Sequence, residues 1–292
     1  MESLAKAVPL SKTIEVAWDG LTFPVVTWGA AGARPILLLH GFPQEPASWA
    51  PVAEALAHYG CQAFAPVQRG YAASTRPRPT GQYTFSKFVA DAIGIADILG
   101  LHTFDVAGFG VGAVQAWMLA AHHPTRIRSL SAFRYPHPAA FANSMKDDPE
   151  QQEKWFRVQQ ELGGQSPEKK ATEMLANDAA KLRHFLESSG LPQPFLDRYV
   201  SRLQEPEALA GALKWNQAIS LDEFATVPSV TTPTLYVWSE GPALARAAAE
   251  ATKHYVRGQF TEVCVSDVGH WMLEDAPTAV AALLRRHLHS TT

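Results

Sequence analysis

The chain has 292 residues, 47% hydrophobic and 18% charged, which is enough apolar side chain for a large core and excludes global disorder. That length suits one large domain or two small ones, at roughly 100–200 residues each. A formal net charge of −3, from 25 basic and 28 acidic residues, offers no basic footprint for nucleic acid or an anionic membrane.

The two cysteines, Cys61 and Cys264, each fall in an apolar run that reads as a buried strand. With no Cys/His spacing suited to a metal, this excludes a disulfide scaffold and fits a reducing cytosol. The start, MESLAKAVPLSKTIEV, has no apolar stretch long enough for a signal peptide. No segment reaches the roughly 20 apolar residues of a membrane span. The expectation is a soluble, cytoplasmic, globular protein, monomeric or homodimeric.

In chain order, residues 36–39 form a short apolar run bounded by turn residues, as a strand buried on both faces should. Helical spacing follows over 51–57, and residues 61–66 read as the next strand. Residues 85–99 have helical periodicity and stop at Gly100, a C-cap residue. The strand at 104–107 breaks at Gly108-Phe109-Gly110-Val111-Gly112 and runs into a helix over 113–122. A further strand covers 127–133. Residues 145–222, rich in Glu, Gln, Lys and Leu, read as helix throughout, with turn signals at Gly163-Gly164 and Gly190-Leu191-Pro192. Strands return at 234–238 and 260–265, around a helix over 242–252, and a last helix covers 277–289. Alternating strands and helices imply a parallel sheet wound on both faces. The helical block, inserted between two of its strands, should lie over the strand ends where such sheets bind ligands.

Four landmarks fall in one order: His40-Gly41-Phe42-Pro43, the glycine-rich turn at 108–112, Pro136-His137-Pro138 and Gly269-His270-Trp271. With Gln68-Arg69-Gly70-Tyr71, Asp197-Arg198-Tyr199-Val200 and Leu213-Lys214-Trp215, the chain resembles the α/β-hydrolase superfamily. The closest likeness is to its epoxide-hydrolase and haloalkane-dehalogenase-like branch, from about residue 12 to 289. The resemblance implies a doubly wound, mostly parallel α/β sheet of about eight strands. It divides the chain into a first core part at 1–135, a helical cap at 136–222 and a second core part at 223–292.

In that family the middle residue of the Gly-x-(Ser/Asp)-x-Gly turn is the nucleophile. Here it is Gly110, with no side chain to attack anything. The flanking Gly108 and Gly112 let the helix press against the strand. The resemblance places the acid that orients the histidine in the loop 239–244. Gly241 stands at the expected position, and Glu240 is the only carboxylate in that loop. Val67 replaces the Asp usual before Gln-Arg-Gly-Tyr, and Asn216 replaces a ring-opening lid tyrosine. By the same resemblance, the backbone N–H groups of Phe42 and Val111 form an oxyanion hole. His40, Pro43, Trp49, Trp155, Trp215, Asn216 and Trp271 are the expected pocket residues. Arg134 and Tyr135 are expected to pack rather than to face the cavity.

A neutral His270 beside an oxyanion hole suggests a general base for proton abstraction next to a carbonyl. The expected chemistry is that of a lyase, cyclase or isomerase on a small apolar carbonyl compound, with no cofactor and no metal. One alternative is an epoxide or ester hydrolase that acts through histidine-activated water or has lost its nucleophile. The other is a ligand-binding protein without turnover.

Overall fold

The computed structural model describes residues 11–241, 243–265 and 268–291. Its first two strands, β1 (Lys12–Trp18) and β2 (Leu21–Trp28), form an antiparallel hairpin. Asp19 and Gly20 turn it, at φ 50° and 73°. Asp-Gly between alternating apolar residues is a strong hairpin signal, because both positions of the tight turn need positive φ.

The remaining strands are β3 (Arg34–Leu39), β4 (Cys61–Pro66), β5 (Phe104–Phe109), β6 (Ile127–Phe133), β7 (Thr234–Trp238) and β8 (Phe260–Cys264). They make one eight-stranded sheet in the order β1-β2-β4-β3-β5-β6-β7-β8. Strands β3 to β8 are mutually parallel, and β2 runs antiparallel to both its neighbours. Side chains alternate along β3, so Ile36 and Leu38 join one core while Leu37 and Leu39 join the other. Helices α1 (Ala50–His58) and α12 (Pro277–His289) close the first, with Val52, Leu56, Leu284 and Leu288. Helices α2 (Phe85–Ile98) and α3 (Val111–His122) close the second, with Phe88, Ile95, Val114 and Trp117.

Strand β8 departs from the expected buried run. It is the last strand of the sheet, and two of its five residues are only half-buried while the others are exposed. Cys264 is therefore exposed, whereas Cys61 is buried. The helix expected over 242–252 is shorter, α10 (Arg246–Ala251), because Gly241 and Leu244 pair in an isolated bridge. Its expected first residue, Pro242, lies outside the described residues, as do residues 1–10. No helix among the described residues is long and apolar enough to cross a membrane.

Between β6 and β7 the chain is helical: α4 (Pro138–Asp147), α5 (Pro149–Leu162), α6 (Pro167–Ser188), α7 (Gln193–Leu203), α8 (Pro206–Gln217) and α9 (Leu221–Ala225). Helices α4 to α8 each carry proline in the first turn, where its missing N–H costs nothing. The expected continuity fails inside α6, where Asn177, Asp178 and Ala179 adopt positive φ. Several contacts tie this block to the core, two groups of them beside the strand ends. Trp215 Nε1 donates to the Arg69 carbonyl at 2.7 Å, and its ring stacks on Phe88 at 4.3 Å. From α5, Gln151 Nε2 donates to Ala243 O at 3.1 Å and Lys154 Nζ to Gly241 O at 2.8 Å.

The start of β5 carries a buried carboxylate. Asp105, fully inaccessible, accepts from Arg34 Nε at 2.6 Å, Arg34 Nη2 at 2.8 Å and Ser129 Oγ at 2.7 Å. Arg34 in turn donates to the Leu288 carbonyl at 2.5 Å, so β3, β5, β6 and α12 share one ion pair. Asp105→Asn leaves the arginine charge uncompensated. It should lower unfolding free energy by about 3–5 kcal/mol, the cost of breaking a buried pair. Urea denaturation followed by tryptophan fluorescence checks this.

Candidate active site

The parallel strands end where the inserted helices begin, and a cavity of about 300 Å³ lies between them. That volume suits a small molecule. Phe42, Gly110 and Val111 form its floor, Arg134, Tyr135 and His270 one wall, and Trp155, Trp215, Asn216 and Trp271 are among the remaining lining.

Gly110 joins β5 to α3 at φ 57°, ψ −123°, a conformation that costs other residues of order 1–3 kcal/mol. Its N–H donates to the Phe133 carbonyl at 3.0 Å. A Cβ at 110 would meet nothing closer than the Gly41 Cα at 3.8 Å, so the position opens on free space. A Cβ at 108, by contrast, would sit 2.1 Å from the Gly112 carbonyl oxygen, which is why strand and helix can touch there only through glycine. Val111 opens α3, so its N–H has no acceptor within the helix.

His270 is half-buried, edge-on to Phe109 at 5.9 Å and to Trp271 at 4.9 Å. Its neighbour is Arg134, which leaves β6 at φ 76°, its N–H donating to the Val237 carbonyl at 2.8 Å. The Arg134 side chain is buried at 4% exposure. Nη1 donates to Ser239 O at 2.8 Å and to Ser239 Oγ, and Nη2 donates to His270 Nδ1 at 3.3 Å. A Cβ at Gly241 would lie 2.6 Å from Arg134 Nη2. The tip of the guanidinium thus occupies the place of a Cβ at 241 and would have to move aside for one.

A guanidinium has donors only, so Nδ1 of His270 must accept. The neutral ring then carries its hydrogen on Nε2. Burial, and then the Arg134 charge, push the His270 pKa down to about 3. The expectation of a neutral histidine agrees with this; its expected role as general base does not. The lone pair that would take a proton is spent on Arg134, and the remaining nitrogen is a donor.

Glu240 is not the histidine's partner. It lies on the surface and accepts from Arg246 Nε at 2.8 Å and from Arg246 Nη2. His40, Pro43 and Trp49 are not among the cavity residues either. His40 is buried, its Nδ1 within 3.0 Å of Gly41 O and its Nε2 accepting from Gln68 N at 3.3 Å, and desolvation lowers its pKa to about 4. Trp49 packs edge-on against Phe133 at 6.1 Å in the core on the other face of the sheet. Asn216 lines the cavity, its side-chain amide exchanging hydrogen bonds with that of Gln159 at 3.2 Å. Arg134 and Tyr135, expected to pack, line the cavity. The signal for them was present: a charged residue directly after an apolar strand stands at the ligand-binding end of a parallel sheet.

At neutral pH the 15N spectrum of His270 should show the Nε2–H tautomer, with no titration between pH 8 and pH 5. Arg134→Met frees Nδ1 and removes the opposing charge, so the ring's pKa should rise, staying below the ordinary histidine range because burial, the larger cause, remains. A wild-type Nδ1–H signal would contradict the assignment.

Comparison with known proteins agrees with this architecture. The model of the alpha/beta hydrolase fold family matches residues 34–277. The chain is 30% identical to "Epoxide hydrolase 4" of Mus musculus, over 96% of this chain and 79% of that protein. It is 29% identical to "AB hydrolase superfamily protein YfhM" of Bacillus subtilis (strain 168), over 92% and 95%. A solved structure from work on novel epoxide hydrolases in metagenomes from hot environments superposes with a TM-score of 0.82 at 26% identity, covering 96% of this chain and 99% of that one. The inhibitor complex of a Bacillus megaterium epoxide hydrolase shares the fold, with a TM-score of 0.82 at 18% identity over 94% and 100%. An eight-stranded, mostly parallel sheet, helices inserted after the sixth strand and a glycine-rich strand-to-helix turn at the cavity floor come together in one chain, which belongs to the alpha/beta hydrolase fold family.

Proposed function

We propose that this chain is an epoxide-hydrolase-like hydrolase that has lost its nucleophile at position 110. Residues 136–222 act as a cap over the cavity, and the ligand is a small, mainly apolar epoxide or ester. The observation that carries this reading is the open space at Gly110, on the cavity floor between Phe42 and Val111. Water occupies that space as the attacking group: its oxygen bonds to the ligand carbon as that carbon's bond to the epoxide or ester leaving oxygen breaks, and the water proton passes to the departing oxygen. The N–H groups of Phe42 and Val111, with Nε2–H of His270, polarise the ligand oxygen.

Water attack forgoes the effective molarity of a tethered nucleophile, about 10⁵ or more. Turnover of styrene oxide or 4-nitrophenyl acetate should therefore be on the order of 10⁻⁴ s⁻¹, against a typical 10 s⁻¹ for enzymes. His270→Ala removes one polarising donor and should slow that rate about 10²-fold or more. Gly110→Asp should not restore epoxide hydrolysis, because Asn216 has no acidic proton for the leaving oxygen and Arg134 denies His270 the role of base. Robust epoxide turnover by Gly110→Asp would refute this account of the site.

A second reading, ligand binding without turnover, is favoured by the Arg134–His270 contact, which leaves no free base on that wall. The same assays separate the two. A binder releases no product above the buffer rate and keeps its ligand affinity in His270→Ala. The lyase, cyclase or isomerase chemistry expected from the sequence needs that base, and the Arg134 contact weighs against it.

A further inference from the structure

We infer that the cavity takes a ligand bearing a carboxylate, whose negative charge lies beside Arg134 while an apolar body fills the rest. The inference rests on the cavity being the ligand site and names the class of ligand.

Its basis is an uncompensated charge. Arg134 is 4% exposed and lines the cavity, yet no described carboxylate forms an ion pair with it. Glu240 is held by Arg246, and Glu262 accepts from Trp238 Nε1 at 2.8 Å. Glu161 lines the cavity from α5 but is exposed and makes no described bond to Arg134. A buried charge without a partner is costly, and the cost is relieved by an anion brought to it. Burial pulls the arginine down to about 10, opposed only in part by Tyr236, the direction expected of a buried cation with no carboxylate beside it.

The hydrogen-bond inventory points the same way. Of the five guanidinium N–H donors, Ser239 takes two and His270 one. Nε–H has no partner among the described residues, and one Nη2 hydrogen is spare. The Tyr135 hydroxyl, on a residue of the same wall, is also buried and unpartnered. His270 contributes Nε2–H. This wall offers donors and positive charge, and guanidinium geometry matches a carboxylate. The aromatic and aliphatic residues that make up most of the lining suit a hydrocarbon body.

The test is calorimetric binding of 4-phenylbutanoate and of neutral 4-phenylbutanamide at pH 7.5. Wild type should bind the acid about tenfold or more tightly than the amide. The ratio should fall to within about twofold in Arg134→Met. It should fall equally in Gly241→Asp, whose own carboxylate lands beside the guanidinium and neutralises it from within. Gly241→Asn pushes the tip of the guanidinium aside by the same amount but leaves its charge uncompensated, so it should keep the larger part of the preference for the acid. The Gly241 pair carries the test if Arg134→Met does not fold. Equal binding of acid and amide by wild type would overturn the inference alone and leave the proposed function standing. Equal loss of preference in Gly241→Asp and Gly241→Asn would overturn it as well, because bulk would then explain the effect. Binding of neither probe would overturn both the inference and the reading of the cavity as a ligand site.

Discussion

Burial of Arg134 between Ser239 and His270 is the constraint from which the chemistry of the site follows. A guanidinium cannot accept a hydrogen bond and does not lose its proton near neutrality. Placed against Nδ1, it selects the histidine tautomer, lowers the ring's affinity for a proton and turns the outward nitrogen into a donor. A carboxylate in the same place would do the reverse on all three counts. One side chain thus decides whether the cavity accepts protons or donates hydrogen bonds.

That arrangement depends on a small residue on the facing loop. With no side chain at Gly241, Nη2 of Arg134 stands where a Cβ would otherwise push it aside. The two positions are 107 residues apart in the chain (241 − 134) but adjoin in space, because β6 and β7 are parallel neighbours whose ends point the same way. Helix α5 of the insertion grips the same loop through Gln151 and Lys154, so the inserted helices and the Arg134 wall are mechanically joined. At the opposite end of the sheet, the pair of Arg34 with Asp105 ties three strands to the last helix. The scaffold is held at one end by a compensated buried charge, while the cavity end holds one with no described counter-ion.

Much of the fold was legible in the residues. Runs such as Ile36-Leu37-Leu38-Leu39 are apolar at every position because helices cover both faces of the central strands. The edge strand β8 misled for the matching reason: its apolar residues imply burial, but no further strand among the described residues lies beyond it to cover Cys264. The hairpin at Trp18-Asp19-Gly20-Leu21 was readable from its turn dipeptide, yet the expected order of elements began only at residue 36. Expected pocket residues divide by direction. Trp155, Trp215, Asn216 and Trp271 line the cavity, while Trp49 packs beneath the other face of the sheet.

The alternation of strands and helices, the glycine-rich turn at 108–112 and the place of His270 near the end of the last strand were all readable from the residues in order. Each is a local property: periodicity, turn chemistry and the identity of a single residue. Tertiary structure alone decided what stands beside the histidine. Glu240 is the nearest carboxylate along that loop, but it turns outward to Arg246, and an arginine from the previous strand of the sheet takes the place at Nδ1. Linear spacing cannot show this, because the partner comes from across the parallel sheet and its room is made by a residue that has no side chain.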